Sequence, residues 1–314
     1  MTRPSHSASI GHGGHVPSSG RALTLSAWLT GVYFVIELAV GLWIGSVAVL
    51  SDAMHTFSAV GGVLLAIVAA RLASDRFSFG WYRAEIVGAL ANGAFLLIMA
   101  IVVIIMGAMR LADPIRLATG PMLWVALGGI VTEVIALAML HKQQSGDLNV
   151  KDAYWHILQT FVGSLIIIVS ALVIEFTGFL AIDPILGMAF GVVLLWASWG
   201  ILRQATRVLM DGTPEGISLG DLARELGELD DVEDVHHVHG WALTSGRYVF
   251  SGHLKIAEGG DPQAVLEAAH AILRDGHGFY FSTLQIETRC LDEDHAEVID
   301  ITARLPRRAR ARTG

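Results

Sequence analysis

The chain has a single cysteine, Cys290, and few charged residues. One cysteine excludes an intrachain disulfide and a zinc site built from several thiolates. Charged residues make up 16% of the 314 positions and hydrophobic residues 53%, whereas soluble domains average about 25% charged and about 45–50% apolar residues. Together with a mean hydropathy of +0.56, these values predict an integral membrane protein.

A basic domain and the common catalytic patterns are also missing. The formal net charge is −8, with acidic residues concentrated in 212–300 and basic residues in the last ten positions. This distribution predicts no nucleic-acid partner. The sequence has no Ser/His/Asp constellation, no HExxH pattern and no carboxylate pair suited to acid–base chemistry, so we expect a protein that is not an enzyme.

Six stretches have the roughly 20 mostly apolar residues that a helix needs to cross a bilayer. They lie at 22–44, 46–70, 86–110, 121–141, 153–176 and 183–202. Basic residues flank one side of these spans, against Arg110 and Arg116 on the other. Because basic loop residues stay in the cytosol, both termini are predicted to be cytosolic, in a multi-pass protein of the cell or inner membrane.

Four parts of the chain are predicted. They are a His-containing disordered tail at 1–21, a six-helix transmembrane transport domain at 22–207, a cytosolic domain at 208–290 and a basic disordered tail at 291–314. The basic tail is suited to the headgroups of membrane lipid.

The cytosolic part alternates between helix and strand patterns. A helix is predicted at 218–229, with Ser218 as its cap, and a second at 262–273. Strands are predicted at 232–243, 248–256 and 279–287. The order αββαβ predicts a small α+β domain with both helices on one face of the sheet.

Two of the apolar stretches carry ionisable side chains, which are costly in a membrane and mark paths for ions or protons. Asp52 and His55 lie three residues apart in the second stretch, on one helix face. Asp152, just before the fifth stretch, and His156 and Thr160 within it follow at four-residue steps. We expect two halves of one cation site; the alternative is that these side chains only hydrogen-bond neighbouring helices.

Other polar residues lie in the helices as well, at Glu37, Asn92, Glu133 and Asp183. Each is interpreted first as structural, bridging helices. For Glu133, mid-helix in the fourth span, the alternative is that it faces the same cavity as the histidines.

Eight short motifs follow one another along both domains. They are FVIELAVG, GSVAVLSDAMH, FSFGWYRAEIVGALANG, NVKDAYWHILQTFVGS, DGTP, VEDVHHVHGW, SGHL and STLQIE. Over about residues 23–287 they resemble the cation diffusion facilitator family of six-helix divalent-metal/proton antiporters, and most closely its zinc-transporting branch.

The resemblance implies export of a divalent metal from the cytosol in exchange for protons, by alternating access in a homodimer. It favours Zn²⁺ as substrate and as regulatory ligand, with Co²⁺, Cd²⁺, Fe²⁺ and Mn²⁺ as alternatives. The rival interpretation is a non-transporting metal sensor or partner subunit with the same fold.

The transport site differs from that of the zinc branch, which has His-x-x-x-Asp on both the second and the fifth helix. Here His55 is followed four residues on by Ala59, and His156 by Thr160. Both imidazoles remain, but both carboxylates are missing. This loss favours the rival interpretation.

Two aspartates are candidates for the missing acidic ligand. Asp152 lies one turn before His156, and Asp52 one turn before His55. The alternative for Asp152 is a helix N-terminal residue favoured by the macrodipole. The alternative for Asp52 is a structural role or a place on the proton route.

For the cytosolic domain, the resemblance implies a metal site at His236, His253, His270 and Glu287, often bridging a dimer. Strand alternation allows the strand residues of this set to share one face. The same alternation predicts His237 on the opposite face from His236. A solvated pair of histidines is the alternative.

Overall fold

The computed structural model describes the backbone of residues 18–71, 78–141 and 148–289, and the side chains of 25–58, 61, 78–141, 154 and 156–289. The tails predicted at 1–21 and 291–314 lie wholly or largely outside the described residues, as does Cys290.

Six long helices precede the sheet domain. They are α1 (Ser18–Ile44), α2 (Val47–Arg71), α3 (Tyr82–Ala112), α4 (Thr119–His141), α5 (Leu148–Thr177) and α6 (Ile182–Leu209). Within the described residues, five of them, all except α2, are long and apolar enough to cross a membrane. The chain is therefore a multi-pass membrane protein, and a sixth span at 46–70 stays a prediction.

The chain divides into two compact units. Unit 1 comprises the chain up to Leu64 together with Ala94–Ser198, and unit 2 comprises Leu65–Gly93 together with the chain from Trp199 onward. Unit 1 has a core to which α1, α4 and α5 contribute Tyr33, Met122 and Ile167. Large apolar side chains such as Trp124 and Trp196 are exposed on its helices, as expected of surfaces that face lipid rather than water.

In unit 1 the first turn of α6 caps the start of α2. The Asp183 carboxylate accepts hydrogen bonds from the Ser46 hydroxyl at 2.5 Å and from the Val47 amide at 2.8 Å. A carboxylate at a helix N-terminus satisfies amides that have no partner within the helix. The buried Asp183 therefore has a structural role, which places α2 for the site described below.

Unit 2 contains a three-stranded sheet covered by helices. Its elements are α7 (Leu219–Leu226), β1 (Val232–Thr244), β2 (Arg247–Ile256), α8 (Pro262–Ala271), which continues into a π-helical turn at Ile272–Gly276, and β3 (Phe279–Glu287). The strand order is β1-β2-β3, with β1 antiparallel and β3 parallel to β2.

The core of this sheet domain lies between the helices and one face of the sheet. Leu222 of α7, Ala269 of α8 and Phe250 of β2 belong to one buried cluster. The Ser218 hydroxyl accepts a hydrogen bond from the amide of Asp221, which confirms the predicted cap. The opposite face of the sheet carries the polar side chains of the second candidate site.

Candidate metal centres

Two histidines meet inside unit 1. The ring centroids of His55 on α2 and His156 on α5 are 4.5 Å apart, and Phe190 stands edge-on to His55. His55 is only 6% exposed. Within the described residues, neither nitrogen of His55 and not the Nδ1 of His156 has a hydrogen-bond partner. Buried polar atoms without partners are costly, so this pair is suited to a ligand that both rings bind.

Of positions 59, 152 and 160, at which the sequence suggests or lacks an acidic ligand, the structure describes the side chain at 160. The side chains of Ala59 and Asp152 lie outside the described residues, so the role of Asp152 remains a prediction. Thr160 is buried, and its hydroxyl donates to the carbonyl of Ile157 in the preceding turn. Position 160 therefore offers an uncharged oxygen.

Asp52 lies where α2 packs against α5. It is 1% exposed, and a Cβ at Gly163 would overlap its carboxylate. Among the described residues, no hydroxyl, amide or basic group donates a hydrogen bond to it. The carboxyl groups of Glu37 and Glu133 are close enough to act on it electrostatically.

Asp52, Glu37 and Glu133 together form what we call the acidic cluster. Glu37 on α1 lies 3.5 Å from the Thr56 hydroxyl, and Glu133 on α4 accepts a hydrogen bond from Ser164 at 3.1 Å. The buried residues described include no lysine or arginine. Because a buried carboxylate needs a compensating positive charge, this cluster calls for protons or a metal ion.

The membrane residues do not yet form a complete ligand set. Within the described part of the chain, one group of three ligand side chains has its donor atoms within 4.8 Å of one another, and it consists of His236, His237 and His253. In the membrane domain the structure brings two imidazoles together, without a third donor at that distance among the described side chains.

The second candidate centre lies in unit 2, on the face of the sheet opposite the core. The rings of His236, His237 and His253 are 5.0–5.3 Å apart, centroid to centroid. The Oε1 atom of Glu287 lies 2.7 Å from Nε2 of His236 and 4.0 Å from Nδ1 of His253. Three imidazoles and one carboxylate from a single chain are a donor set suited to tetrahedral Zn²⁺.

The prediction that His237 faces away from His236 is wrong, because β1 contains a bulge. His236 pairs with His253 and His239 with Ser251, so β1 has one residue more than β2 in this interval. The extra residue, at φ +50° for His237, reverses the alternation of faces. His236 and His237 consequently share one face.

A signal for this bulge is present in the sequence. Val235 and Val238 both pack against the buried core, yet they are three residues apart. In a regular strand, such a spacing would put them on opposite faces. The spacing of these two valines was a sign that β1 is not regular, and the sequence analysis missed it.

Two other histidines lie apart from this cluster. His270 on α8 forms a hydrogen bond from its Nδ1 to the Ser282 hydroxyl at 2.6 Å, and its donor atoms are not in the three-histidine group. His239 lines a separate cavity of about 340 Å³ together with Trp241. The structure thus brings together His236, His253 and Glu287 of the predicted set, but not His270.

Two neighbouring side chains contact the candidate metal ligands of the sheet. Gln285 donates to the other carboxylate oxygen of Glu287 at 3.1 Å, and the Asp234 carboxylate lies 3.3 Å from Nδ1 of His236. An outer hydrogen bond such as the one from Gln285 orients a carboxylate that binds a metal ion.

Comparison with known proteins shows which family models and relatives the chain matches. Residues 23–210 match the model of the cation efflux transmembrane domain, and residues 214–289 match that of the cation efflux protein cytoplasmic domain. The chain is 30% identical over 289 residues to the cation efflux system protein CzcD of Alcaligenes sp. strain CT14, covering 90% of this chain and 92% of the relative.

Two further relatives are named for the metal ions that they transport. The chain is 28% identical to the cadmium, cobalt and zinc/H(+)-K(+) antiporter of Bacillus subtilis, over 91% of this chain and 95% of the relative. It is also 28% identical to the zinc transporter ZitB of Escherichia coli, over 87% and 90% respectively. The resemblance inferred from the motifs is confirmed.

Proposed function

The chain belongs to the cation efflux family, the cation diffusion facilitators, and from that membership we propose that it exports a divalent metal ion, foremost Zn²⁺, in exchange for protons. The family is one of metal cation transporters, and relatives carry zinc, cadmium and cobalt in their names. We further propose six spans, an αββαβ cytosolic domain, cytosolic termini and a homodimer.

The observation that carries this proposal is the pair of His55, which is buried, and His156, which is half-buried. Each ring comes from a different helix of unit 1, and nitrogens of both lack a partner among the described residues. A neutral imidazole nitrogen binds zinc, whereas its protonated form does not. A metal ion and protons therefore compete for the same atoms, which is the chemical requirement for an exchanger.

The proposed cycle is alternating access around this pair. In a state open to the cytosol, neutral imidazoles bind the ion together with nearby oxygen ligands. In a state open to the other side, protons take the nitrogen lone pairs and the ion leaves. Return of the protonated site to the cytosol completes the exchange.

The sheet domain is proposed to hold a regulatory metal ion. His236, His237, His253 and Glu287 would hold it, and a bound ion would supply the charge that links the three imidazoles and the carboxylate into one closed centre. Because all four donors come from one chain, each protomer of a dimer would contain its own complete centre.

The test is zinc transport by purified protein in vesicles. We expect an imposed proton gradient to drive Zn²⁺ uptake by the parent, and His55→Ala or His156→Ala to reduce it to the rate of empty vesicles. His239→Ala, which changes a histidine outside both candidate centres, is the matched control. Parent vesicles that move no Zn²⁺ under any gradient would refute the transporter.

One observation favours the rival function, a metal sensor without transport. The three-histidine cluster of the sheet is complete, whereas the membrane pair has no third donor within 4.8 Å among the described residues. A sensor would bind Zn²⁺ through the sheet and show no uptake in the same vesicles. Binding and flux measured on one preparation separate the two.

A further inference from the structure

We propose that Glu133 on α4 supplies the acidic ligand for the ion held by His55 and His156, in place of the carboxylates absent from positions 59 and 160. The inference rests on the proposed transport function and specifies the ligand set of that site. In this ligand set, one negative charge that the resembling branch carries on α5 is supplied by α4 instead.

The location of Glu133 is the first argument. His156, Thr160 and Ser164 follow one another at four-residue steps, so they form one stripe along α5. The Glu133 carboxylate accepts a hydrogen bond from Ser164 at 3.1 Å, and it lies near the Thr160 side chain. Glu133 therefore lies along the stripe at position 160, where the resembling branch has its aspartate.

The availability of Glu133 is the second argument. Its side chain is 5% exposed, Ser164 engages only Oε1, and Oε2 has no hydrogen-bond partner among the described residues. A buried carboxylate oxygen without a partner has lost its hydrogen bonds to water and has gained none from the protein, which costs free energy. Thr160 offers no charge, and its own proton is donated to the Ile157 carbonyl.

The other two carboxylates of the acidic cluster are less suitable. Asp52 lies one turn from His55 on α2, but its carboxylate packs against Gly163, about two turns along α5 from His156. Glu37 lies on α1, and its carboxylate is engaged by the Thr56 hydroxyl. Of the three, Glu133 is the one that lies near Thr160, the position of the missing α5 carboxylate, and it also keeps one oxygen unengaged.

Binding requires a rearrangement of this side chain. The imidazoles and the carboxylate are not all within 4.8 Å of one another in the present arrangement. When the Glu133 side chain rotates away from Ser164, it loses that hydrogen bond and gains a bond to the ion. An ion that sheds its water in a low-dielectric site needs such a charge close by.

The experiment measures Zn²⁺ binding to the full chain in detergent, with the sheet centre removed by His236→Ala and His253→Ala. In that background we expect Glu133→Gln to weaken Zn²⁺ binding at least tenfold. Adding Thr160→Asp should restore the affinity to within about threefold, because the carboxylate then comes from α5. Glu175→Gln, at an exposed α5 residue engaged by Thr119, is the matched control and should change nothing.

Binding by Glu133→Gln within twofold of the background overturns the proposal. If Glu133→Gln does not fold, Glu133→Asp decides, since it keeps the charge but withdraws it by one methylene: weaker binding supports the proposal and unchanged binding overturns it. A parent that moves no Zn²⁺ although Glu133→Gln weakens binding refutes transport alone. A transporting parent whose Glu133→Gln variant binds normally refutes the Glu133 assignment alone.

Discussion

At position 237 one backbone angle decides which side chains reach the sheet centre. His237 has φ +50°, a left-handed conformation that costs a non-glycine residue about 1–2 kcal/mol. The same conformation brings its imidazole beside those of His236 and His253. The strain and the position of the third candidate ligand therefore come from one feature.

This coupling predicts opposite effects of one substitution. His237→Gly relieves the backbone strain and removes an imidazole, so the metal-free protein should unfold at the same or a higher temperature than the parent. In saturating Zn²⁺ the variant should gain less stability than the parent does. Thermal unfolding with chelator and with Zn²⁺ measures both. His239→Ala should respond to Zn²⁺ like the parent, and an equal response of His237→Gly would remove His237 from the ligand set.

A second residue-scale prediction concerns Gly163. A Cβ at this position would overlap the Asp52 carboxylate, whereas one at Gly200 on α6 would meet nothing within 4 Å. We expect Gly163→Ala to lower the unfolding temperature, and Gly200→Ala to leave it unchanged or raise it, since alanine is favoured over glycine within helices by about 1 kcal/mol. Equal behaviour of the two variants in detergent would contradict close packing at Gly163.

At the scale of elements, hydropathy located the apolar part of each helix and missed the ends. α3 begins at Tyr82 rather than 86, and α6 continues to Leu209 rather than 202. The added turns carry Arg83, Glu85, Arg203 and Arg207, which a search for apolar residues excludes. Helix length is set by backbone hydrogen bonds, which continue beyond the apolar stretch.

The added first turn of α3 has contacts of its own within unit 2. The Arg247 guanidinium lies between the rings of Tyr82 and Tyr280, 4.5 Å and 4.8 Å from their centroids, and donates to the Tyr82 hydroxyl. The Thr244 hydroxyl donates to the Glu85 carboxylate at 2.6 Å. The end of β1 and the beginning of β2 are thus joined to the start of α3 by side chains.

A substitution of Arg247 tests how much these side-chain contacts stabilise the protein. Arg247→Lys keeps the charge but loses the planar group that stacks on both rings, and we expect a loss of about 0.5–2 kcal/mol in the free energy of unfolding. Arg274→Lys is the control, because Arg274 is exposed and pairs only with the adjacent Asp275 among the described residues. Chemical unfolding followed by tryptophan fluorescence gives the comparison; equal loss in both variants would mean that the stack contributes nothing.

The candidate sites were predictable to different degrees. Motif spacing predicted His55 and His156 as one pair, and their rings lie together because each lies on a helix whose period fixes its face. The resemblance predicted His236, His253 and Glu287, and the structure brings these side chains together. The sequence pattern leaves metal binding at both places a prediction. It failed at His237, where the bulge depends on pairing with β2. It left Glu133 undecided, because only packing of α4 against α5 brings that residue to the stripe.

At the scale of the whole molecule, the topology follows from charge. Arg71, Arg76 and Arg83 lie in or beside 72–83, and Arg203 and Arg207 precede the domain after 208, so both segments should lie on the cytosolic side. With Cys290 replaced by serine, single cysteines at Ser78 and at Glu258 should react with an impermeant reagent only in inverted vesicles. Asp113→Cys, in the turn between α3 and α4, should react only from the opposite side. Labelling of Ser78→Cys from outside would refute the six-span arrangement.

The bulge in β1 affects how related proteins can gain or lose this histidine cluster during evolution. Its one surplus residue determines which face the histidines share, so the count of residues between 236 and 239 is as much a part of the centre as their chemistry. Loss of one codon there would leave both strand sequences recognisable and return the alternation to its regular form, separating the imidazoles. A lineage can therefore gain or lose this centre by a change in length alone, without exchanging any ligand for another amino acid.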